Sequence, residues 1–402
     1  MKEIKFIHAA DLHLDSSFKG LRKLPEKLLH HIKESTFAAL QTIIDEAISR
    51  EVDFVLFSGD LYDGENRNLR TQVRFRKEME RLERYGIQAY IIHGNHDHLG
   101  GKWISIEQPN NVHIFSSLSE VKEFKKKDSL TYIYGYSYPT QHVNQSIVDK
   151  YEKKAGADYH IGMLHGSVEG QSEHSRYAPF TVDELLQKSF DYWALGHIHK
   201  RQELAASPPI VYPGNIQGRH KKESGVKGCY YVKLQDKHAH LQFVPTSTIV
   251  WNSCDVTIEE NDTLDQLLTK CRQALEQLRN SSYGVLVEIK LSNHHEFMLY
   301  DQFHDDLLAI LQEEEEYRED FVYPYTLSLA EVVITDQNHP ILELINSYEW
   351  TEQDVFEAIQ PLFKHSLGRK YITALSPEEK KQLIKEAKQM LSLLLANGGN
   401  AR

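Results

Sequence analysis

Five short apolar runs in this chain each stop at side chains able to bind a cation. Ile4 to His8, Phe54 to Phe57, Ala89 to Ile92, His160 to Leu164 and Tyr192 to Leu195 read as buried strands. Directly after them stand Asp11-Leu12-His13, Gly59-Asp60, Gly94-Asn95-His96-Asp97, His165-Gly166 and Gly196-His197-Ile198-His199. A layered α/β sheet gathers its ligands in the crevice outside the carboxyl ends of its strands, so carboxylate, imidazole and amide groups from all five blocks should meet in one place. A lone Asp-x-His or Gly-Asp pair means little. All five blocks, in order and at strand ends, make a metal site the expected outcome.

Mixed oxygen and nitrogen donors in this number suit a two-metal phosphoester hydrolase. Two cations about 3.5–4 Å apart neutralise a phosphate and make water acidic enough to attack near neutral pH. A ligand shared between them must offer two oxygens, and Asp60, following Gly59 at a strand end, is the best candidate. Asp11 and His13 are expected to alternate along an extended segment, as are His197 and His199, so that each pair points one way. Donor chemistry alone permits iron or zinc as readily as manganese.

Around these blocks the chain alternates strand and helix. Pro25 to Ser49 has Leu28, Ile32, Phe37, Leu40, Ile43, Ile44 and Ala47 near helical spacing, and a second helix is expected from about Asn68 to Tyr85. The expected architecture is a layered α/β core over residues 1–250, a small α+β domain over 251–340 and a helical region over 341–402. Thr351 to Asp354 and Ser376 to Glu379 resemble capping boxes. The last helix has an apolar face of Leu383, Ala387, Met390, Leu391, Leu394 and Leu395.

Charge divides at the same boundary. Residues 1–250 carry 33 Lys/Arg against 31 Asp/Glu, a net of +2, and residues 251–402 carry 13 against 27, a net of −14. Seventeen of the 22 histidines lie in the first part, which therefore holds the chemistry. Three cysteines without a CxxC pair argue against a disulfide framework and point to a reducing, cytoplasmic setting. No apolar run reaches the roughly 18 residues of a membrane span, and the chain enters a strand at once, so no leader is expected.

In these five blocks the chain resembles the calcineurin-like metallophosphoesterase superfamily. The likeness tightens to the SbcD-like DNA repair exonucleases and their bacterial YhaO-type branch. It rests on Asp97 after Asn95-His96, on Lys200 after Gly196-His197-Ile198-His199, and on the stretch from Tyr192 through Ile210-Val211-Tyr212-Pro213-Gly214 to His220. It covers about residues 4–235. Beyond them only the layout agrees, a small capping domain and then a helical tail.

The resemblance implies that one metal is held by Asp11, His13 and His199, the other by Asn95, His165 and His197, and that Asp60 bridges them. His96 would not be a ligand but would stabilise or protonate the leaving oxygen, with Asp97 orienting its ring. The implied metal is Mn2+. The implied activity is hydrolysis of DNA at duplex ends, by a homodimer working with an SMC-like coiled-coil ATPase that docks on the C-terminal helices. The rival readings are another phosphodiesterase or phosphatase of the superfamily, or a non-catalytic scaffold that binds DNA ends.

Candidate DNA contacts follow from position. Arg67, Arg70, Arg74, Lys77, Arg81 and Arg84 form a basic stripe. It is either a solvated face laced with Arg74–Glu78 and Glu80–Arg84 pairs or a phosphate-binding edge, for which Arg67 and Arg70 lie nearest the metal loop. Leu69, Val73, Met79 and Leu82 would form its buried side. Arg219, Lys221 and Lys222, around His220, are expected to reach phosphate. Lys125 to Lys127 reads as an ordinary charged turn, and Gly170 to Tyr177, with His174 and Arg176, as a loop beside the site. No base-reading motif appears, so binding should be independent of sequence.

Overall fold

A computed structural model describes residues 2–388 except 17, 19–20, 22–23, 64–67, 102–103, 105, 128, 171–176, 237, 260, 293–302, 330–343, 345–346, 349, 365–374, 378, 382 and 386. Arg67, His174, Arg176 and most of the apolar face of the last helix lie outside the described residues. The chain divides into two compact units. The first comprises Met1–Asn252, Leu278–Leu286 and Glu314–Tyr323, the second Ser253–Gln277, Val287–Glu313 and Pro324–Arg402.

Two six-stranded sheets build the first unit. In one, β1 (Glu3–Ala9), β2 (Phe54–Ser58), β3 (Gln88–Ile92) and β4 (Val112–Ile114) run parallel, and β11 (Gly228–Gln235) and β12 (His238–Pro245) extend the β1 edge antiparallel. The other has the order β5 (Glu120–Lys126), β6 (Ser129–Gly135), β7 (Tyr159–His165), β8 (Tyr192–Gly196), β10 (Pro209–Tyr212), β9 (Gln202–Ala206), with β6, β7, β8 and β10 parallel. The expected single crevice of one sheet is thus shared by two.

The side-chain alternation of β1 explains the layering. Ile4 and Phe6 enter a core with Phe54, Leu56, Tyr90, Ile161, Met163, Tyr192 and Ala194, which is the filling between the sheets. Ile7 and Ala9 point the other way, into a core with Phe37, Leu40, Ile43, Val55, Phe57, Phe75 and Met79. That second core belongs to helices α1 (Glu26–Ser49) and α2 (Leu69–Arg84). On the far face of the other sheet, Trp193, Leu195 and Ile210 pack with Leu185 of α3 (Val182–Gln187) and Phe190. Each such buried side chain contributes about 1.5–3 kcal/mol. Polar links cross the middle layer, among them one from His8. His8 Nε2 donates to the Leu195 carbonyl at 3.0 Å and His8 Nδ1 accepts from Tyr192 Oη at 3.0 Å.

Helix α1 follows Pro25, and all seven of its predicted apolar positions are buried. Helix α2 differs from expectation. Its buried residues are Thr71, Gln72, Phe75, Met79 and Leu82, while Leu69 is exposed. Its arginines pair both with α1 and along their own helix. Arg74 binds Glu34 and lies over the Phe37 ring at 3.4 Å, Arg81 binds Asp45 and Glu78, and Arg76 binds Glu80. Two members of the stripe, Arg74 and Arg81, therefore join the two helices.

In the other part of the chain, β13 (Ile249–Thr257), β14 (Gly284–Ser292) and β15 (Val322–Leu329) form a three-stranded sheet. Helices α4 (Leu264–Leu278) and α5 (Phe303–Glu315) alternate with these strands in sequence. Helix α6 (Glu352–Lys364) follows Thr351, whose hydroxyl accepts from the Asp354 N–H at 3.2 Å. The Ser376 box also closes, Ser376 N–H to Glu379 Oε2 at 2.8 Å and Glu379 N–H to Ser376 Oγ at 3.2 Å.

Candidate metal centre

The loops after β1, β2 and β3 meet those after β7 and β8. Parallel pairing carries past the strand ends, with Asp11 N–H on Gly59 O at 3.2 Å and His13 N–H on Asp60 O at 3.0 Å. The backbone here is not the extended zigzag predicted. Asp11 (φ 52°), His13 (φ 42°), Asp60 (φ 51°) and His197 (φ 98°) all adopt left-handed conformations. Non-glycine residues rarely do so, at a cost of order 1–3 kcal/mol each, and such strain concentrates at functional sites. Sharp turning, rather than alternation, aims these side chains inward.

The donor atoms fall into two groups around Asp60. Asp11, His13 and His199 each offer an atom within 4.8 Å of the others. His13 Nε2 lies 3.1 Å from His199 Nε2. In the second group, Asn95 Oδ1 lies 3.0 Å from His165 Nε2 and 3.1 Å from His197 Nδ1. Asp60 Oδ2 sits between the groups, 3.8 Å from His13 Nε2 and 3.4 Å from His165 Nε2. The Asp11 carboxylate is held by the His197 backbone N–H, at 3.0 and 3.1 Å.

Outer contacts orient the rings. His13 Nδ1 donates to Asp63 Oδ1 at 3.2 Å, His199 Nδ1 to Glu223 Oε1 at 2.6 Å and His165 Nδ1 to the Ser58 carbonyl at 3.0 Å. Each bond leaves Nε2 facing the cluster, the usual arrangement around a metal-binding histidine. Asp63 and Glu223 escaped the sequence reading. Asp63 stands three residues after Asp60, but Glu223 lies in a loop with no motif of its own.

Three glycines of the motifs pack against the His165 ring. A Cβ on Gly59 would collide with His165 Nδ1, one on Gly94 with Asp60 Oδ1 while standing 2.6 Å from His165 Nε2, and one on Gly196 with the Ser58 carbonyl. Only glycine permits this approach.

Burial and mutual charge set the protonation states. Burial pushes His13 and His197 down to about 3, with the Arg219 and His165 charges adding to it, so both rings are neutral. Burial opposes ionisation of Asp60 too, but His165 and His13 more than offset it and hold Asp60 well below the carboxylate range. His165 is its counterpart. Burial disfavours its charge, yet Asp60 and Asp11 raise it to about 9. Burial and the neighbouring Asp60 charge raise Asp11. His165 would have to give up its proton to serve as a metal ligand. Two carboxylates, four imidazoles and an amide oxygen, with oriented rings and a cradle that a methyl group would fill, fit two divalent cations.

His96 stands apart. Its backbone N–H donates to Asp60 Oδ1 at 2.9 Å, while its side chain is 40% exposed at the rim. The neighbouring carboxylate is Asp63, 3.7 Å from Nδ1. The expected orienting role of Asp97 is corrected by the structure. Asp97 is fully buried and accepts from the Leu61 N–H at 2.9 Å, the Gly94 N–H at 2.7 Å and His93 Nδ1 at 2.9 Å. It ties the loops after β2 and β3 together.

Of the predicted DNA contacts, Arg70, Lys221 and Lys222 are exposed. Arg219 is not a free phosphate ligand. Its side chain is only 13% exposed and lies between Asp63 at 3.3 Å and Glu223 at 3.7 Å. Lys126 pairs with Asp53 and Lys125 with Glu123, as an ordinary charged hairpin would. Tyr177 packs its ring 4.8 Å from that of His197.

Comparison with known proteins agrees with this geometry. The calcineurin-like phosphoesterase family matches residues 4–201. The uncharacterized metallophosphoesterase YhaO of Bacillus subtilis is 38% identical over 400 residues, 97% of this chain and 98% of its own length. The DNA double-strand break repair protein Mre11 of Sulfurisphaera tokodaii is 25% identical over 56% of this chain and 59% of its own. Mre11 of Sulfolobus acidocaldarius is 25% identical over 68% and 69%. With a family match over the site-bearing strands and a near full-length relative, this chain belongs to the calcineurin-like metallophosphoesterases.

Proposed function

We propose that this protein is a dinuclear-metal phosphodiesterase acting on DNA, an exonuclease of repair type that hydrolyses phosphodiester bonds at duplex ends with Mn2+. The observation that carries the reading is the placement of half-exposed His96 beside Asp60, itself flanked by Asp11, His13 and His199 on one side and Asn95, His165 and His197 on the other. Relatives named as DNA double-strand break repair proteins support the choice of substrate.

In this reading Asp11, His13 and His199 would hold one cation and Asn95, His165 and His197 the other, with Asp60 between the two groups able to serve both. Bound cations supply charge neutralisation at the phosphoryl oxygens and make an attacking water more acidic. His96, half-exposed at the rim, delivers a proton to the departing alkoxide, a role worth typically 10²–10⁴-fold. Asp63 stands 3.7 Å from its Nδ1, close enough to attract the protonated ring. Asn95 contributes a neutral oxygen where another carboxylate would repel the phosphate. Arg70, Lys221 and Lys222 contact the DNA backbone, and Arg67, which lies outside the described residues, is assigned the same role. A homodimer, an SMC-like ATPase partner and a cytoplasmic location belong to the same proposal. Among the described residues no helix is long and apolar enough to cross a membrane.

The test is manganese-dependent digestion of end-labelled linear duplex DNA by wild type and His96→Ala. Terminal nucleotides released by wild type alone support the proposal. A metal-loaded wild type that leaves DNA intact but hydrolyses a small phosphodiester would keep the centre and remove the DNA assignment.

A further inference from the structure

Around the first cation group, five side chains close a ring. His13 Nδ1 meets Asp63 Oδ1 at 3.2 Å, Asp63 Oδ1 meets an Arg219 terminal nitrogen at 3.3 Å, and the other terminal nitrogen stands 3.7 Å from Glu223 Oε1. Glu223 Oε1 meets His199 Nδ1 at 2.6 Å, and His199 Nε2 returns to His13 Nε2 at 3.1 Å. Glu223 is anchored from behind, its Oε2 accepting from the Arg219 N–H at 2.7 Å and Asn215 Nδ2 at 2.9 Å.

We infer that Arg219 is the positioning residue of the Asp11–His13–His199 cation site, acting through Asp63 and Glu223. This rests on the two-cation reading and adds to it a residue that touches neither cation nor substrate. The argument is one of charge and shape. Asp63 and Glu223 are needed to fix both tautomers, but together they bring two further negative charges to a pocket that already holds Asp11 and Asp60 and must admit a phosphate. One guanidinium between them offsets half of that excess. Its rigid fork also sets the spacing of the two acids, and therefore of the two rings, which a single ammonium could not do. The other cation group, where His165 is oriented by the Ser58 carbonyl, does not draw on this ring.

The experiment is calorimetric titration of Mn2+ into the metal-free full-length chain, for wild type, Arg219→Gln, Arg219→Lys and Glu223→Gln, with circular dichroism confirming the fold of each. Wild type is expected to take up two ions. Arg219→Gln and Glu223→Gln should each weaken one of the two by about 10–100-fold, the usual effect of losing a partner behind a ligand. Arg219→Lys should recover part of that loss. Two ions bound by folded Arg219→Gln with wild-type affinities would overturn the inference and leave the metal reading intact. A wild type that binds no manganese would instead remove the metal reading. If Arg219→Gln does not fold, Glu223→Gln, which keeps the side-chain shape, decides by the same criterion.

Discussion

The Asp97 carboxylate accepts the backbone N–H of Leu61 at 2.9 Å, across 36 positions of sequence, and so clamps the loop bearing Asp60 to the loop bearing Asn95 and His96. The same carboxylate takes the Gly94 N–H and His93 Nδ1. Asp97→Ala removes the acceptor from three donors in a dry environment, each costing about 1–3 kcal/mol when left without one. We expect a loss of about 3 kcal/mol or more in chemical denaturation of the metal-free protein. His96→Ala, at the exposed rim, should shift stability by less than about 0.5 kcal/mol. Equal destabilisation by the two would show that Asp97 is no clamp.

Gly94→Ala should abolish metal binding while leaving the fold largely in place, because its new methyl would collide with Asp60 Oδ1 and crowd His165. Gly86→Ala meets no neighbour, although its φ is +72°, and should cost about 1 kcal/mol of backbone strain with metal uptake unchanged. Manganese stoichiometry of the two variants checks the contrast. Full loading of Gly94→Ala would contradict the packing described.

His8 supplies a pH test. Burial holds its ring down to about 3, against an ordinary 6.5, with the Leu195 carbonyl a smaller opposing influence. Between those values the unfolded chain binds a proton that the folded one does not. The stability owed to neutral His8 is therefore complete above about pH 6.5 and is lost as pH falls toward 3. In denaturation of metal-free protein, wild type should lose stability on acidification faster than His8→Gln, by up to about 5 kcal/mol at the acid end. A wild-type minus variant difference that stays flat from about pH 7 to pH 4.5 would refute this.

The elements legible in the sequence are those whose reasons are local. Strands β2, β3, β7 and β8 are buried along nearly their whole length and appear as largely apolar runs, β1 reads likewise apart from half-buried Glu3 and Lys5, and α1 shows its buried stripe at helical spacing. The ligand blocks were visible because each follows such a run. Hairpin β5–β6 was missed because β5, EVKEFKK, is a polar edge strand. The partners of Arg74 and Arg81 were missed because Glu34 and Asp45 sit on another helix. Asp97 was given the wrong neighbour because adjacency in sequence suggested His96, whereas the turn of the loop directs it to His93 and two amides. Glu223 and Arg219 take their meaning only from the fold, since neither is near His13 or His199 in sequence.

The most direct test of the central account compares two substrates with wild type and His96→Ala under saturating manganese. DNA leaves behind a poor alkoxide that needs a proton, whereas an aryl phosphodiester such as bis(p-nitrophenyl) phosphate releases a phenolate that does not. If the two cation groups do the binding and His96 supplies the proton, His96→Ala should lose about 10²–10⁴-fold on DNA and retain most of its rate on the aryl diester. An equal fall on both substrates, with metal still bound, would contradict that division of labour.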